Sequence, residues 1–395
     1  MTDEVRRAWA YLSRVAEPPC PQLTALVRQV GPVEAAGRVR AGQVDAEVLR
    51  RVEARREFVC AAEDLDALER MGGRLITPDD DEWPLLRFRA LRGDKELKRP
   101  NAHPPLVLWA VGPVRLDEAA ERAAAIVGTR AATAYGEHVA AELAAGLVER
   151  DVTVVSGGAY GVDGAAHRAA LACEGVTVAI VAGGIDNPYP AGHSALFHRI
   201  RQDGLLVSEY PPGTAPGRLR FLTRNRLVAA LSGATVVVEA GVRSGAANTA
   251  AWARSLGREV CAVPGPVTSA ASAGCHALLR NDAVLVDRAE QIVELVGRIG
   301  ELAPEEPHPA GPLDGLAPVE KQVYDALPAR GAHTADEIAM LAALPPHQVL
   351  APLTMLELAG LVESVDGCWR IARRRRVRSV TPGSAGEGQV SADLL

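Results

Sequence analysis

Short apolar runs recur along the middle of this chain, at 123–127, 152–156, 176–181, 205–208, 234–239 and 259–263. They are rich in valine, isoleucine and alanine and lack polar alternation, as expected of strands covered on both faces. Runs with helical spacing lie between several of them, at 135–150, 162–172, 194–201, 224–231 and 245–255. Strand and helix in alternation predict an α/β fold for residues 119–298: an extended Rossmann-like, doubly wound parallel sheet.

The flanks read differently. Over residues 1–70, Trp9, Leu12, Val15, Leu23, Leu26, Val27 and Val30 recur at helical spacing, and Gly31-Pro32 breaks the run before a second helix from Val33. A helical-hairpin-like module of this kind suits either the backbone of DNA or a cap that aids packing and assembly. Residues 71–118 read as a connector packed on the core domain. It holds short strands at 74–77 and 104–109, an Asp79-Asp80-Asp81 turn and a Trp83-Pro84-Leu85-Leu86 anchor. Residues 299–314 form a proline-rich, acidic linker.

A winged-helix-like unit is expected over 315–372. It has a helix at 319–327, a capping box Thr334…Glu337 opening a second, a third at 346–358, and a hairpin turning at Asp366-Gly367. Its third helix carries no lysine or arginine, which favours protein contact or packing over base reading. Residues 373–395 begin with an arginine run able to hold nucleic acid non-specifically, then continue as a disordered tail.

Net charge narrows the function classes. At −6 the chain is not globally basic, so any nucleic-acid binding needs a local patch. Only three of its 43 basic residues are lysines; arginine supplies the planar fork that matches phosphate. The six cysteines are scattered without CxxC spacing, so no metal site is expected and reduced thiols in the cytoplasm fit. No apolar run reaches the ~18 residues of a membrane span, and the N-terminus lacks a signal pattern.

Ligands of doubly wound sheets bind beyond the carboxyl ends of the strands. There the sequence places Gly128-Thr129-Arg130, Ser156-Gly157-Gly158-Ala159-Tyr160-Gly161, Tyr189-Pro190, and Arg243-Ser244-Gly245. Glycine-rich loops and helix N-termini at one edge, with arginines beside them, point to a polyanion. No GxGxxG or Walker sequence is present. Four arginines, Arg218, Arg220, Arg224 and Arg226, surround Phe221. Such a cluster suits phosphates and a base, or else the solvated start of an amphipathic helix. Asp163, His167, Glu209 and Glu239 read as loop-ordering groups, with Asp163 and His167 as a local hydrogen-bonded pair. No nucleophile–base pair emerges.

These motifs resemble the DNA-processing A (DprA/Smf) family. The resemblance rests on Ile126–Arg130 with Tyr135-Gly136, on Ser156–Asp163 with Ala166-His167, and on Tyr189-Pro190. It rests also on Ser208–Gly213, Phe221–Arg226, Val238–Ala240 with Ser244-Gly245, Val263–Gly265 and Gly274–Leu279. It implies a homodimer that binds single-stranded DNA without sequence preference and loads the RecA recombinase in natural transformation, with no catalysis and no cofactor. It implies that Arg130 clamps phosphate, that Gly157 and Gly158 offer backbone donors, and that Phe221 stacks near a base. Arg224 and Arg226 then support the groove, while Arg218 and Arg220 stand as rim charges. The candidate nucleic-acid-binding set is Gly128, Thr129, Arg130, Ser156, Gly157, Gly158, Tyr160, Gly161, Tyr189, Pro190, Phe221, Arg224, Asn225, Arg226, Ser244 and Gly245. Tyr160 and Ala191 stand where many members carry lysine, which exchanges charge for stacking at Tyr160. The alternatives are an enzyme of the nucleoside-monophosphate phosphoribohydrolase group, with Glu239 as its candidate acid, and a nucleotide sensor on the same fold.

Overall fold

The structure is a computed structural model; it describes residues 2–91, 101–297, 313, 315–328 and 330–372. The expected linker, apart from residue 313, and the arginine-led tail lie outside the described residues. The chain divides into two compact units, Met1–Pro304 and Glu305–Leu395.

The first unit is built on a nine-stranded sheet. Its strands are β1 (Gly73–Ile76), β2 (Leu108–Val111), β3 (Ala123–Val127), β4 (Thr153–Ser156), β5 (Thr177–Val181), β6 (Leu205–Ser208), β7 (Ala234–Val237), β8 (Glu259–Ala262) and β9 (Val284–Leu285). Their order is β1-β2-β6-β5-β4-β3-β7-β8-β9. All pairings from β6 to β9 are parallel, and β1 and β2 join antiparallel to them at one edge. The expected connector is thus part of the sheet. Its residues are held by Arg74, whose guanidinium meets Glu82 at 2.6 and 2.7 Å and the carbonyls of Gly112 and Val114 at 2.6 and 2.7 Å.

Alternate residues of each strand enter opposite cores, which explains the unbroken apolar runs. Ala125, Val127, Val178, Ile180, Val207 and Val237 face helices Arg218–Leu231 and Gly245–Ser255. On the reverse face, Ile126, Val154 and Val236 meet helices Ala134–Val148 and Val162–Ala172. Further along that face, Trp109, Val111, Ala179 and Leu206 share a core with Trp9, Tyr11, Leu12 and Leu23 of the N-terminal helices.

The N-terminal module is five helices: Asp3–Val15, Pro21–Val30, Pro32–Ala41, Ala46–Val52 and Ala61–Arg70. Proline opens the second and third, where its missing N–H costs nothing. Gly31, at φ +81°, makes the break between them. The module is tied to the sheet by Arg14, which meets Asp64 at 2.5 Å and the carbonyl of Pro212 at 2.6 Å. It is a cap fused to the core.

The second unit has helices Pro318–Asp325, Ala335–Leu341 and Leu350–Leu358 and a three-stranded sheet of β10 (His333–Thr334), β11 (Val362–Val365) and β12 (Cys368–Ile371). Thr334 and Glu337 form the expected capping box. Asp366 and Gly367 both take positive φ, as the tight hairpin turn requires.

One expected pairing is absent. His167 turns from Asp163 to Thr177, with Nδ1 2.7 Å from Thr177 Oγ1. The Thr177 hydroxyl gives its only proton to the carbonyl of Val154 at 2.8 Å, so Nδ1 must carry the shared one. His167 Nε2 is buried without a partner, and burial pushes the ring's pKa down to about 3. His167 therefore fastens helix Val162–Ala172 to the sheet as a neutral side chain.

This makes a pH prediction. An unfolded histidine titrates near 6.5, whereas native His167 stays neutral down to about 3. Above pH ~6.5 the residue adds no pH dependence. Below it, the unfolded chain binds the proton and stability falls, by about 2 kcal/mol between pH 7 and 5. Urea midpoints at these two pH values should show a smaller drop for His167→Asn than for the parent. Equal drops would exclude a buried neutral imidazole.

Candidate functional site

The chain leaves β3 toward β4 on one side and returns to β7 on the other, so the β3–β7 boundary is the switch point of the sheet. A pocket of about 780 Å³ opens there, beyond the strand ends. Its walls are the Gly128–Arg130 loop, Gly157 and Ala159, the first two turns of helix Arg218–Leu231, and the Arg243–Gly245 turn.

Buried carboxylates hold these loops. Asp163 accepts the N–H groups of Gly157 at 3.1 Å and Ala159 at 3.3 Å. Burial raises its pKa, against the opposing pull of Arg224 and these backbone donors. Glu239 accepts the Thr133 N–H at 2.9 Å and its hydroxyl at 2.6 Å, while its own carbonyl takes the Thr129 N–H at 2.7 Å. Thr133 in turn caps helix Ala134–Val148. Gly161 joins the first two loops: it has φ +71°, and a Cβ there would lie 2.8 Å from the Arg130 carbonyl oxygen.

Arg224 is the floor of the pocket. It is 6% exposed, and its Nη1 donates to the carbonyl of Ile180 at the end of β5. Gly157 lies against the guanidinium, where a Cβ would come within 2.6 Å of Cζ, so a larger residue would have to displace Arg224. Burial pushes the pKa down to about 10, with Asp163 opposing and Arg130 adding to the fall. The group is still cationic at neutral pH. Its Nε is buried without a hydrogen-bond partner.

Above it, the Arg130 guanidinium stands 5.1 Å from the Phe221 ring centre. The edge of Tyr189 meets Phe221 with centroids 5.8 Å apart, and Tyr189 is 47% exposed. Arg130, Arg218 and Arg243 are exposed and line the pocket, with no carboxylate in salt-bridge range among the described residues. Asn225 reaches Gly245 O at 3.3 Å and Asn248 Oδ1 at 3.2 Å, tying the two helices that flank the pocket. Ser244 caps helix Gly245–Ser255, whose N-terminus opens on the cavity.

Of the expected set, Gly128, Thr129, Arg130, Gly157, Tyr189, Phe221, Arg224, Asn225, Ser244 and Gly245 come together here. Ser156 is fully buried and donates to the Ile126 carbonyl at 2.6 Å. Gly158 and Gly161 shape the loop from behind. Pro190 and Tyr160 lie outside the cavity; Tyr160, 45% exposed, packs edge-on to His193 at 4.7 Å. Arg226 departs furthest from expectation. Its side chain is 0% exposed, held by Glu209 at 2.6 and 2.7 Å and by the His103 carbonyl at 3.0 Å. It braces the helix from inside and does not line the pocket.

Arg220 is also no free rim charge, since it meets Glu17 at 2.6 and 2.9 Å and stands over Tyr210. Arg243 is the cation missing from the sequence-derived set, although it follows the same strand end as Glu239. Among the described residues no group of three or more His, Cys, Asp or Glu side chains could hold a metal.

Glu209→Ala should strand the Arg226 charge in the core. The expected cost is about 3–5 kcal/mol, read as a fall in the denaturant midpoint at unchanged slope. A loss below ~1 kcal/mol would mean that water reaches Arg226.

Comparison with known proteins identifies the family. Residues 74–297 match the family described as DNA recombination-mediator protein A, and residues 306–367 match the DprA winged helix domain. A putative DNA processing protein DprA from Mycobacterium tuberculosis is 68% identical over 385 residues, covering 98% of this chain and 99% of that protein. Protein Smf from Escherichia coli is 37% identical over 262 residues, covering 64% of this chain and 69% of its own length. The X-ray structure of DNA processing protein A from Streptococcus pneumoniae superposes with a TM-score of 0.60 at 26% identity, covering 75% of this chain and 99% of that one. By the match to its sheet unit and by its identity with full-length relatives, the chain belongs to the DNA recombination-mediator protein A (DprA/Smf) family.

Proposed function

We propose that this chain binds single-stranded DNA, without sequence preference, across the pocket at the β3–β7 switch point. The carrying observation is Arg224, a buried cation with an unpartnered Nε at the floor of an open pocket. Asp163 answers this charge from within the fold, while the unused Nε and the exposed rim cations Arg130, Arg218 and Arg243 leave positive charge for phosphates. Phe221 and Tyr189 supply ring faces that accept any base. Backbone donors and arginines engaged on phosphates carry no sequence information.

The geometry gives less support to hydrolysis of a nucleotide. Glu239, the candidate acid, spends its oxygens on Thr133 and does not line the pocket. Asp163 is the one acid among the described lining residues, and it is engaged by two backbone N–H groups. The family's description as a recombination mediator further favours a protein that passes the bound strand to a recombinase; we take that recombinase to be RecA and the acting species to be a homodimer. Among the described residues no single helix is long and apolar enough to cross a membrane.

Fluorescence-anisotropy titrations of labelled oligothymidylate at several salt concentrations test the binding mode. Arg130→Ala and Arg243→Ala should each weaken binding and flatten the log–log salt slope by about 0.7 per lost phosphate contact. Phe221→Ala should cost about 1–3 kcal/mol at unchanged slope. A mononucleotide that binds as tightly as the oligomer would sink this mode and favour a nucleotide sensor. For the mediator role, the protein should shorten the lag of RecA assembly on strands coated with single-strand-binding protein. An unaltered lag would refute it.

A further inference from the structure

The pocket is not the only recess beside helix Arg218–Leu231. On the other side of its first turn lies a second cleft of about 650 Å³. Gly217, Arg218 and Leu222 belong to both, so only one helical turn separates them. The second cleft has mixed parentage: Glu17, Pro18, Pro19 and Arg51 come from the N-terminal helical module, and Tyr210 and Asn248 from the sheet domain.

Its charge is positive in balance. Glu17 is answered twice, by Arg220 at 2.6 Å and by Arg55 at 2.9 Å. Arg51 and Arg218 are exposed and have no carboxylate in salt-bridge range among the described residues. At the base of the cleft Tyr210 is 2% exposed, and its hydroxyl is buried without a hydrogen-bond partner. On the crest between the two recesses, Leu219 is 77% and Leu222 40% exposed, an apolar saddle that a base can cross. Gly217 caps the helix without a side chain, so the first-turn N–H groups lie open at this crest.

We propose that a bound single strand runs over the Leu219–Leu222 crest into this second cleft, where Arg51 of the helical module and Arg218 hold its backbone. The N-terminal helices are then part of the nucleic-acid interface as well as a cap on the sheet. The occupant is identified by continuity: the cleft shares a wall with the proposed binding pocket, and an extended polyanion leaving that pocket meets unpaired arginines there. The proposal rests on single-strand binding at the switch point and lengthens its footprint.

Oligothymidylates of about 6 and about 20 nucleotides separate the two sites, because the short one fills a single pocket. Among the described residues Arg51 makes no ion pair, so Arg51→Ala should melt close to the parent; Arg51→Glu, in the last turn of helix Ala46–Val52, should melt slightly lower and remain folded. For the long oligomer, Arg51→Ala should lower affinity about two- to fivefold and reduce the salt slope by about 0.7. Arg51→Glu should lower it further. The short oligomer should bind both variants as it binds the parent, while Arg130→Ala weakens both lengths.

Parent-like binding of the long oligomer by Arg51→Glu, with Arg130→Ala still defective, overturns the second cleft and leaves the first pocket standing. Equal weakening of short and long oligomers by Arg51→Glu overturns it too, since a general field would then be acting. Full binding by Arg130→Ala as well as Arg51→Glu removes the underlying reading.

Discussion

The buried pair of Arg226 and Glu209 fixes everything at the carboxyl edge of this sheet. Glu209 follows β6 directly, and Arg226 sits in the middle of helix Arg218–Leu231. With the two side chains 0% and 3% exposed, the helix can neither slide nor rotate without separating charges in the core. That constraint sets the azimuth of the helix. It brings Arg224 under Gly157, Phe221 under Arg130, and Arg218 to the rim, from one stretch of sequence. A pair that touches no ligand thus determines which of its neighbours can.

The other carboxylates act in the same way at shorter range. Asp163 and Glu239 are consumed by backbone donors of the loops they follow or face. A loop ordered by a buried acid can remain small and glycine-rich, so the Arg224 guanidinium lies directly against backbone. The acids at this edge are thereby satisfied within the fold, while Arg130, Arg218 and Arg243 are left over. Hence a chain of net charge −6 still presents a cationic recess. Excess negative charge elsewhere limits indiscriminate attachment to polyanions, and the local field acts within about a Debye length, ~8 Å at physiological salt.

Much of the fold was legible because buried parallel strands have a plain signature. The runs at 123–127 and 205–208 match β3 and β6 residue for residue, and the helices at 162–172 and 245–255 match likewise. The strand-end rule then located most of the pocket. Legibility failed where orientation decides. At about 100° per residue, Arg218, Arg220 and Arg226 point in three different directions once residues 218–231 form one helix, and Arg224, one turn beyond Arg220 on the same face, lies deeper in the fold. In the sequence they are a cluster; in the fold, one lies on the rim, one on Glu17, one under Gly157 and one on Glu209. His167 illustrates the same limit. Its spacing from Asp163 suggested a pair, but its partner Thr177 comes from the next strand, which local spacing does not reveal. The two edge strands β1 and β2 were seen as strands, yet nothing local placed them in the main sheet.

The cations of the proposed groove are not equivalent. Arg130, Arg218 and Arg243 are exposed, so mobile ions compete for them and their contribution fades as salt rises. Arg224 is different: its desolvation was met when the protein folded, and its guanidinium is held in place by Ile180 and Gly157. A phosphate reaching it gains a charge-assisted hydrogen bond in a low-dielectric site without further ordering of the side chain. Ring stacking on Phe221 and Tyr189 is likewise insensitive to ionic strength. The proposed groove would therefore combine an exposed cationic rim, suited to gathering and releasing a strand, with a pre-ordered floor and stacking rings that would position it. The floor and Arg218 share the helix that the Arg226–Glu209 brace fixes, whereas Arg130 and Arg243 stand on loops that tolerate small shifts. The proposed role, holding a strand and then surrendering it, would be served by this division, with position determined in the core and affinity adjustable at the edge.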